Sequence, residues 1–410
     1  MRNNTLALRI IIVTMLAGVP APRQAQEVPP IAVTVNTVEY TFGQQATFTL
    51  EASADAGIAA LYLYLQKPGE ERVEVVPVPF EAGNPVQATF QRDLRLSPLP
   101  PFGQVSWWWE VRDQAGHVLT TPPSSFQYAD NRFAWHTASN ERVRVHSTVD
   151  DPVYLRAALD IAAANLEAIE EALQSPPLEQ VDVYLYPSQA DLRAALEMGG
   201  REWVGGQARP ELGVVLVAVP HDDESTARME RDIPHEITHL VIYRLAGPRG
   251  YPFVPAWLNE GLATVNQAWP DPDLDVLLEQ ALTAGQLIPL TDLCAPFPSD
   301  PQVARLSYAE SASLVRTVRD RYGSSGIRAL LAAYADGADC EGGIIQALGR
   351  TPQQLETAWR ADLLGLTGWT TWLSDHWPWL ALWGLSLLLA IPMVGVRRPR
   401  HRAPAPELHP

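Results

Sequence analysis

The sequence predicts an α+β protein, with a β-rich N-terminal part followed by a mixed part that becomes mostly helical. Three observations support this fold class. Short runs of strand-forming residues recur up to about residue 130, apolar residues at helical spacing dominate after residue 152, and an uncharged apolar stretch lies near the C-terminus. With 410 residues, the chain is long enough for two folded domains and terminal segments.

The first 25 residues have the pattern of a signal peptide. Arg2 and Arg9 precede an apolar run over residues 10–17, and small residues and prolines follow that run. A basic start, an apolar centre and a small-residue end are the three parts of a secretory signal. We therefore expect residues 1–25 to direct export, with an uncleaved anchor or a buried strand as the alternatives.

Residues 27–130 are predicted to form an all-β domain. Runs of strand-forming residues alternate there with proline, glycine and acidic turns, and they cover residues 31–35, 46–50, 60–65, 73–76, 87–90 and 105–111. Short strands at this spacing indicate an immunoglobulin-like β-sandwich, although the segment contains no cysteine pair. Trp107, Trp108 and Trp109 in the last run are interpreted as packing residues rather than as a ligand site.

Residues 131–368 are predicted to form a second domain, with a small sheet followed by a mostly helical part. Apolar residues recur at helical spacing over residues 152–173, and a buried strand is indicated at residues 181–186. The remaining predicted elements are a strand at 143–147, a helix at 188–198, a strand at 213–219 and helices up to residue 366.

The stretch over residues 232–242 contains the pattern His-Glu-x-x-His, formed by His235, Glu236 and His239. Residues four apart lie on one face of a helix, one turn from each other. The two imidazoles can therefore bind one zinc ion, and Glu236 can accept a proton from water at the open coordination position. Pro234 is expected in the first turn of this helix, where a missing N–H costs nothing. Two surface histidines without a metal are the alternative.

A third zinc ligand is expected from the next helix, because catalytic zinc sites usually combine three protein ligands with one water. Residues 255–263 begin with proline and place apolar residues on one helical face, and Glu260 projects a carboxylate from this segment. The interval between His239 and Glu260 leaves room for a helix end, a turn and a second helix that packs back. Read alone, Glu260 could be an ordinary surface acid.

Residues 235–239 and 257–263 together resemble the peptidase MA-like gluzincins, the broad group of zinc metallopeptidases that includes the M1 aminopeptidases. The resemblance implies a zincin-like catalytic domain, with zinc held by His235, His239 and Glu260 and with Glu236 as the catalytic base. M1 aminopeptidases carry a Gly-x-Met-Glu-Asn motif that captures the amino terminus of the substrate, and the nearest upstream stretch here, residues 205–208, does not match it. Endopeptidase activity is therefore favoured over aminopeptidase activity.

The same resemblance suggests further site residues. Tyr308 begins a helix after the third ligand, and some relatives place a catalytic tyrosine there to stabilise the reacting carbonyl; otherwise Tyr308 is a packing residue. The strand at 213–219 precedes the motif helix and is expected to offer its edge to an extended substrate, or else to be an ordinary interior strand. Asn259 and Asp232 are considered as groups that orient the ligands.

Residues 377–396 are predicted to form a single transmembrane helix. They carry no charge and are numerous enough to span a bilayer. Trp377, Trp379 and Trp383 lie at the N-terminal side of this segment, and four arginines follow in the short tail over residues 397–410. Positive charge stays on the cytoplasmic side, so the tail is predicted to be cytoplasmic and the bulk of the chain extracytoplasmic, in the cell membrane. A buried helix of a soluble core is the alternative.

Charge and cysteine content restrict the partners and the compartment. The formal net charge is −17, so we expect no nucleic acid as a partner. The two cysteines are Cys294 and Cys340, and a disulfide between them is consistent with an exported domain.

These features predict a membrane-anchored extracytoplasmic zinc metallopeptidase that hydrolyses a peptide or protein substrate through a zinc-activated water. Two alternatives from other classes stay open: a cell-surface binding or adhesion protein that retains a zincin scaffold, and a zinc hydrolase of a non-peptide substrate. The identity of the substrate, the role of the β-domain and the oligomeric state are not predicted.

Overall fold

The computed structural model describes residues 30–68, 72–196 and 206–365, together with four single residues between 376 and 382. It has a mixed α+β structure, as predicted. The predicted signal peptide over residues 1–25 and most of the predicted membrane helix over residues 377–396 lie outside the described residues. Within the described part of the chain, no helix has both the length and the apolarity needed to cross a bilayer.

The N-terminal part forms two antiparallel sheets. Its strands are β1 (Ile31–Thr41), β2 (Gln45–Ala54), β3 (Ile58–Gln66), β4 (Val73–Pro77), β5 (Val86–Asp93), β6 (Gln104–Asp113), β7 (Val118–Thr120) and β8 (Ser124–Gln127). One sheet has the order β1-β2-β5, and the other has the order β4-β3-β6-β7 with β8 paired to β6. Each of the six predicted strand runs therefore lies within one of the strands β1 to β6.

Alternation of side chains along the strands explains how these two sheets pack. Successive residues of a strand point to opposite faces, and in β2 every second residue is buried. In β6 the side chains of Trp107 and Trp109 are buried, and Phe48 from the first sheet contacts Trp107 from the second with ring centroids 6.0 Å apart. The two sheets thus share one apolar core, while their assignment to the immunoglobulin type stays a prediction.

A third, five-stranded sheet follows. Its strands are β9 (His136–Ser139), β10 (Val143–Ser147), β11 (Val181–Tyr186), β12 (Gly206–Arg209) and β13 (Val214–Ala218), in the order β12-β13-β11-β10-β9. The expectation that strand 213–219 offers its edge to a substrate is wrong, because β13 is hydrogen-bonded to β12 on one side and to β11 on the other. Within the described residues, β12 is the edge strand beside β13.

Connecting segments of the N-terminal part cover one face of this third sheet. All six residues of β11 are buried, and the rings of Tyr184 and Phe102 lie 4.2 Å apart between centroids. The phenol of Tyr186 donates a hydrogen bond to Oδ2 of Asp130 at 3.0 Å. Because a strand buried on both faces requires apolar residues at every position, β11 reads as a continuous apolar run apart from Asp182.

Most of the helical part packs on the other face of the third sheet and extends beyond it, whereas Leu192 and Ala195 of its second helix belong to the core on the first face. Its helices are α1 (Pro152–Leu173), α2 (Gln189–Leu196), α3 (Ser225–Gly250), α4 (Ala256–Val265), α5 (Pro272–Ala284), α6 (Pro301–Ala335), α7 (Cys340–Leu348) and α8 (Pro352–Leu363). The side chain of Asp151 caps α1 by accepting from the backbone N–H groups of Val153 and Tyr154. The predicted helix over residues 152–173 is confirmed over its whole length.

A disulfide joins the segment before α6 to the start of α7. Cys294 and Cys340 are bonded, with their Cα atoms 6.1 Å apart, so the pairing expected from the sequence is confirmed. The bridge spans 46 positions of the chain and encloses α6, the helix that packs against α4.

Candidate metal centre

Helix α3 carries the His-Glu-x-x-His residues, and it begins earlier than predicted. The prediction that Pro234 lies in the first turn is wrong, because α3 starts at Ser225. A proline inside a helix lacks the N–H that would bond to the carbonyl four residues earlier. Here that carbonyl, of Glu230, accepts from the backbone N–H groups of Ala268 and Trp269 at 2.9 and 3.3 Å. The segment after α4 is thereby tied to α3 beside the motif.

The structure brings His235, His239 and Glu260 together at one point. The Nε2 atoms of His235 and His239 lie 3.4 and 3.7 Å from Oε2 of Glu260, and one ligand atom from each residue lies within 4.8 Å of the others. Ligand atoms of a tetrahedral zinc ion are separated by about 3.3–3.6 Å. Two nitrogens and one carboxylate oxygen at this spacing fit zinc, and the assignment of the three residues as ligands stays a prediction.

Close packing of α4 against α6 positions Glu260. Trp257 and Leu258 are buried completely on the inner face of α4. Gly261 lies so near α6 that a Cβ atom there would be 2.6 Å from the backbone oxygen of Ser311. Burial alone would raise the pKa of Glu260, but the charges and hydrogen bonds of the two histidines and Tyr308 hold it below its ordinary value. The carboxylate is thus kept in the charged form that a metal requires.

Glu236 lies between α3 and the edge strand β12. Its carboxyl accepts a hydrogen bond from the backbone N–H of Ala208. A Cβ atom at Gly206 would come within 2.8 Å of Cγ and Oε1 of Glu236, so only glycine allows this approach. Burial raises the pKa of Glu236 to about 8, against the attraction of His235. A carboxyl group with such a pKa can both accept and release a proton near neutral pH.

Each histidine has a carboxamide beside its second ring nitrogen. Nδ1 of His239 lies 3.1 Å from Oδ1 of Asn259, and Nδ1 of His235 lies 3.3 Å from Nε2 of Gln267. Contacts of this kind hold a metal-binding imidazole in its orientation. The sequence pointed to Asn259, whereas nothing marked Gln267, which follows α4 in a segment without a recognisable pattern. Asp232, the other residue considered for this role, forms an ion pair with Arg231 at 2.8 Å.

Tyr308 lies on α6 at the same centre. Its side chain is hydrogen-bonded to Glu260, and its ring centroid is 6.2 Å from that of His235. Phe297 packs edge-on against the ring of Tyr308, with centroids 5.1 Å apart. The structure therefore brings the predicted tyrosine to the predicted ligands, and a catalytic role for it stays a prediction.

Three cavities adjoin the metal centre. One of about 320 Å³ extends from His235 and Glu236 towards α5 and the start of α6. A second of about 310 Å³ lies along β12, and a third of about 540 Å³ lies beyond Glu260, against the disulfide. All three include Tyr308 in their lining. The cleft therefore continues on both sides of the metal centre.

Comparison with known proteins gives one family match and several structural likenesses. Residues 162–365 match the family model of the Peptidase MA superfamily, which confirms the resemblance inferred from the motif residues. An M1 zinc metallopeptidase mutant from Deinococcus radiodurans is 13% identical, with 81% of this chain and 92% of that chain covered at a TM-score of 0.38. An aminopeptidase N family protein from Idiomarina loihiensis is 10% identical, with 78% and 73% covered at a TM-score of 0.38. No curated protein matches the chain.

Proposed function

We propose, from the premise that residues 162–365 are a Peptidase MA superfamily region, that this chain is a membrane-anchored extracytoplasmic zinc endopeptidase. The observation that carries the proposal is the convergence of His235, His239 and Glu260 with the carboxyl of Glu236 beside them. Burying two acids and two histidines in one place is costly unless a charge partner or a metal compensates. A protein that only binds a surface partner has no use for two acids and two histidines buried in one place.

The residues of the site divide the chemistry among themselves. Bound zinc supplies a Lewis acid that polarises a peptide carbonyl and activates a water molecule. Glu236 accepts the proton that the water loses. At the same time the oxygen of that water attacks the carbonyl carbon of the substrate. As the C–N bond breaks, Glu236 donates that proton to the leaving amine. Tyr308 offers its phenolic O–H to the carbonyl oxygen.

The layout of the cleft favours an endopeptidase. The cavity towards α5 and the cavity beyond Glu260 lie on different sides of the metal centre. A substrate polypeptide can therefore extend in both directions from the cleaved bond. An aminopeptidase needs an additional acid to hold the amino terminus of its substrate. Among the described residues that line the cavity along β12, the acids are Glu236 and Glu260, which the metal centre already uses.

Strand β12 is the proposed docking edge for the substrate. It pairs with β13 on one side only within the described residues, and Gly206, Gln207 and Ala208 line the cavity next to Glu236. An extended peptide can add to such an edge as a further strand, held by backbone hydrogen bonds. Recognition through the backbone suits an enzyme that accepts many sequences around the cleaved bond.

The organisation of the whole chain is part of the proposal. We assign residues 1–25 to a signal peptide, 27–130 to an immunoglobulin-like sandwich, 131–368 to the catalytic domain, 377–396 to a membrane helix and 397–410 to a cytoplasmic tail. The uncharged stretch and the arginines after it support the anchor. The contacts of Phe102 and Asp130 with the third sheet suggest that the sandwich braces the catalytic domain.

Peptide cleavage by the purified full-length chain in detergent tests the activity. A peptide library is incubated with wild type, with wild type plus a zinc chelator, and with Glu236→Gln, and the cleavage sites are read by mass spectrometry. We expect internal cleavage of peptides by wild type without chelator, and no cleavage in the other two samples. Zinc-loaded protein that cleaves no peptide would contradict the proposal and favour a binding protein with a retained zinc site.

Accessibility of each end of the chain tests the location. Epitope tags are placed after residue 30 and at the C-terminus, and intact cells are treated with an external protease. We expect loss of the first tag and protection of the second. Protection of both tags, or release of the chain into the soluble fraction, would contradict the membrane anchor.

A further inference from the structure

The cavity beyond Glu260 has a mostly apolar lining. Its walls include residues 252–256, the disulfide and the buried ring of Phe297. Among the described residues that line it, Glu260 is the single charged one. A cavity of about 540 Å³ with such walls favours an apolar occupant, because apolar surface leaves water there without leaving polar groups unpaired.

Phe253 is the most exposed aromatic side chain of this lining. Its exposed fraction is 51%, whereas that of Phe297 is 3%. A phenyl ring in this position leaves apolar surface in contact with water beside the metal centre. An apolar side chain of a substrate would cover that surface, and the burial would contribute to binding.

The backbone that carries Phe253 is fixed before a substrate binds. Pro252 and Pro255 restrict φ on both sides of it, and residues 251–253 form one turn of 3₁₀ helix. Gly250, directly before this turn, lies so close to the backbone of α6 that a Cβ atom would have no room. The turn is therefore held against α6. An aromatic ring on a fixed backbone loses little conformational entropy when it contacts a ligand.

The cavity towards α5 has a different character. Its lining includes two ion pairs, Arg231 with Asp232 at 2.8 Å and Arg305 with Asp271 at 3.1 Å. A large apolar side chain would displace water from these partly exposed charges without replacing its hydrogen bonds, which is costly. A polar or charged side chain can replace them. The two cavities therefore favour side chains of different polarity.

We propose that the substrate is a polypeptide with a large apolar side chain on one side of the cleaved bond and a polar or charged side chain on the other, and that Phe253 determines the apolar preference. This inference rests on the proposed peptidase function. Backbone pairing with β12 holds the substrate, and the two cavities select side chains among the many sequences that such pairing admits. The apolar side chain lies against Phe253, in the cavity that Glu260 and Tyr308 also line.

Peptide binding to zinc-loaded, full-length Glu236→Gln in detergent tests the preference without turnover. The probes are capped, fluorescently labelled serine–alanine peptides in which one central residue is Phe, Leu, Ser or Lys, and affinity is measured by anisotropy. The Phe and Leu peptides should bind about 10-fold more tightly than the Ser and Lys peptides, as expected for burial of one large apolar side chain.

Two substitutions of Phe253 and one control, each made in the same Glu236→Gln background, assign the preference to this residue. Phe253→Ser should remove most of the difference between the peptides, and Phe253→Leu should keep most of it. Leu96→Ser is the matched control and should leave the difference unchanged. Leu96 is an apolar side chain with 84% exposure in the segment between β5 and β6, and it is not among the described residues that line the three cavities.

Cleavage of the same peptides by zinc-loaded wild type, Phe253→Ser and Phe253→Leu completes the test. The values of kcat/KM should follow the same order as the affinities, and mass spectrometry should place the apolar residue on one side of the cleaved bond only. Equal affinity for all peptides, or an apolar preference that Phe253→Ser leaves unchanged, would overturn this inference while zinc-dependent cleavage stands. An apolar preference that Phe253→Ser removes, with no cleavage of any peptide, would overturn the proposed function and leave the cavity as a binding site.

Discussion

Replacing Glu310 by glutamine should remove a measurable pH dependence from the stability of this fold. Glu310 lies on the inner side of α6 with 0% of its surface exposed. Both oxygens of its carboxyl lie 3.1 Å from the backbone N–H of Ile288, in the segment between α5 and α6. A neighbouring acid, Glu356, accepts from the backbone N–H of Leu290 in the same segment. Glu310 can thus be changed to a neutral acceptor of the same shape without moving its partner.

The size of the effect follows from the pKa of Glu310 in the two states. Burial raises this pKa to about 7 from an ordinary value of 4.5, against the hydrogen bond from Ile288 and the attraction of Arg360. Because the folded-state pKa is the higher one, the contribution to stability is fully present below about pH 4.5 and is lost as the pH rises through about 7. Between pH 5 and pH 8 the loss amounts to roughly 2–3 kcal/mol.

Denaturant unfolding followed by tryptophan fluorescence measures this contribution. The free energy of unfolding is determined at pH 5 and pH 8 for wild type, Glu310→Gln and the control Glu279→Gln, whose side chain is exposed on α5. Wild type and the control should lose roughly 2–3 kcal/mol more than Glu310→Gln over this interval. Equal pH dependence in all three proteins would show that Glu310 is ionised in the folded state at pH 5, and would refute the argument.

Three further changes have defined outcomes. Gly206→Ala places a methyl group 2.8 Å from the carboxyl of Glu236. We expect turnover to fall while the zinc content, measured by mass spectrometry, stays unchanged. A fall in both turnover and zinc content would show that the substitution disturbs the metal site instead. Tyr308→Phe removes one donor to the carbonyl oxygen and should lower kcat about 100-fold with little change in KM, whereas unchanged kcat would make Tyr308 a packing residue. Cys294→Ser removes a disulfide that spans 46 positions. Because the bridge restricts the unfolded chain, its loss should lower the free energy of unfolding by about 4 kcal/mol. A drop below about 1 kcal/mol would contradict this account of the stabilisation.

Strongly periodic segments were predictable from the sequence, and segments placed by their neighbours were not. The helix over residues 152–173 has a capping aspartate, a first-turn proline and apolar residues at regular spacing, and α1 has those bounds. The strand over residues 181–186 is apolar at nearly every position because both of its faces are covered, and β11 has those bounds. The residues 235, 236, 239 and 260 were recognisable because zinc chemistry restricts both their types and their spacing.

The predictions that were wrong or missing concern positions whose structure is decided by tertiary contacts. α3 extends nine residues before Pro234, because the backbone groups of Ala268 and Trp269 satisfy the carbonyl that proline leaves free. The edge of the third sheet belongs to β12, a short strand of small and polar residues that shows no alternation of its own. Gln267 lies outside any helix or strand, and its contact with His235 exists only after α4 has folded back onto α3.

The disulfide makes the order of assembly of this cleft depend on its chemical surroundings. Cys294 and Cys340 both line the cavity beyond Glu260, in which Phe297 packs against Tyr308. The covalent link in that wall requires an oxidant, which the polypeptide does not supply. A newly made chain therefore closes the covalent link beside this cavity only where an oxidant is available, and until then the two cysteines of the wall are free thiols.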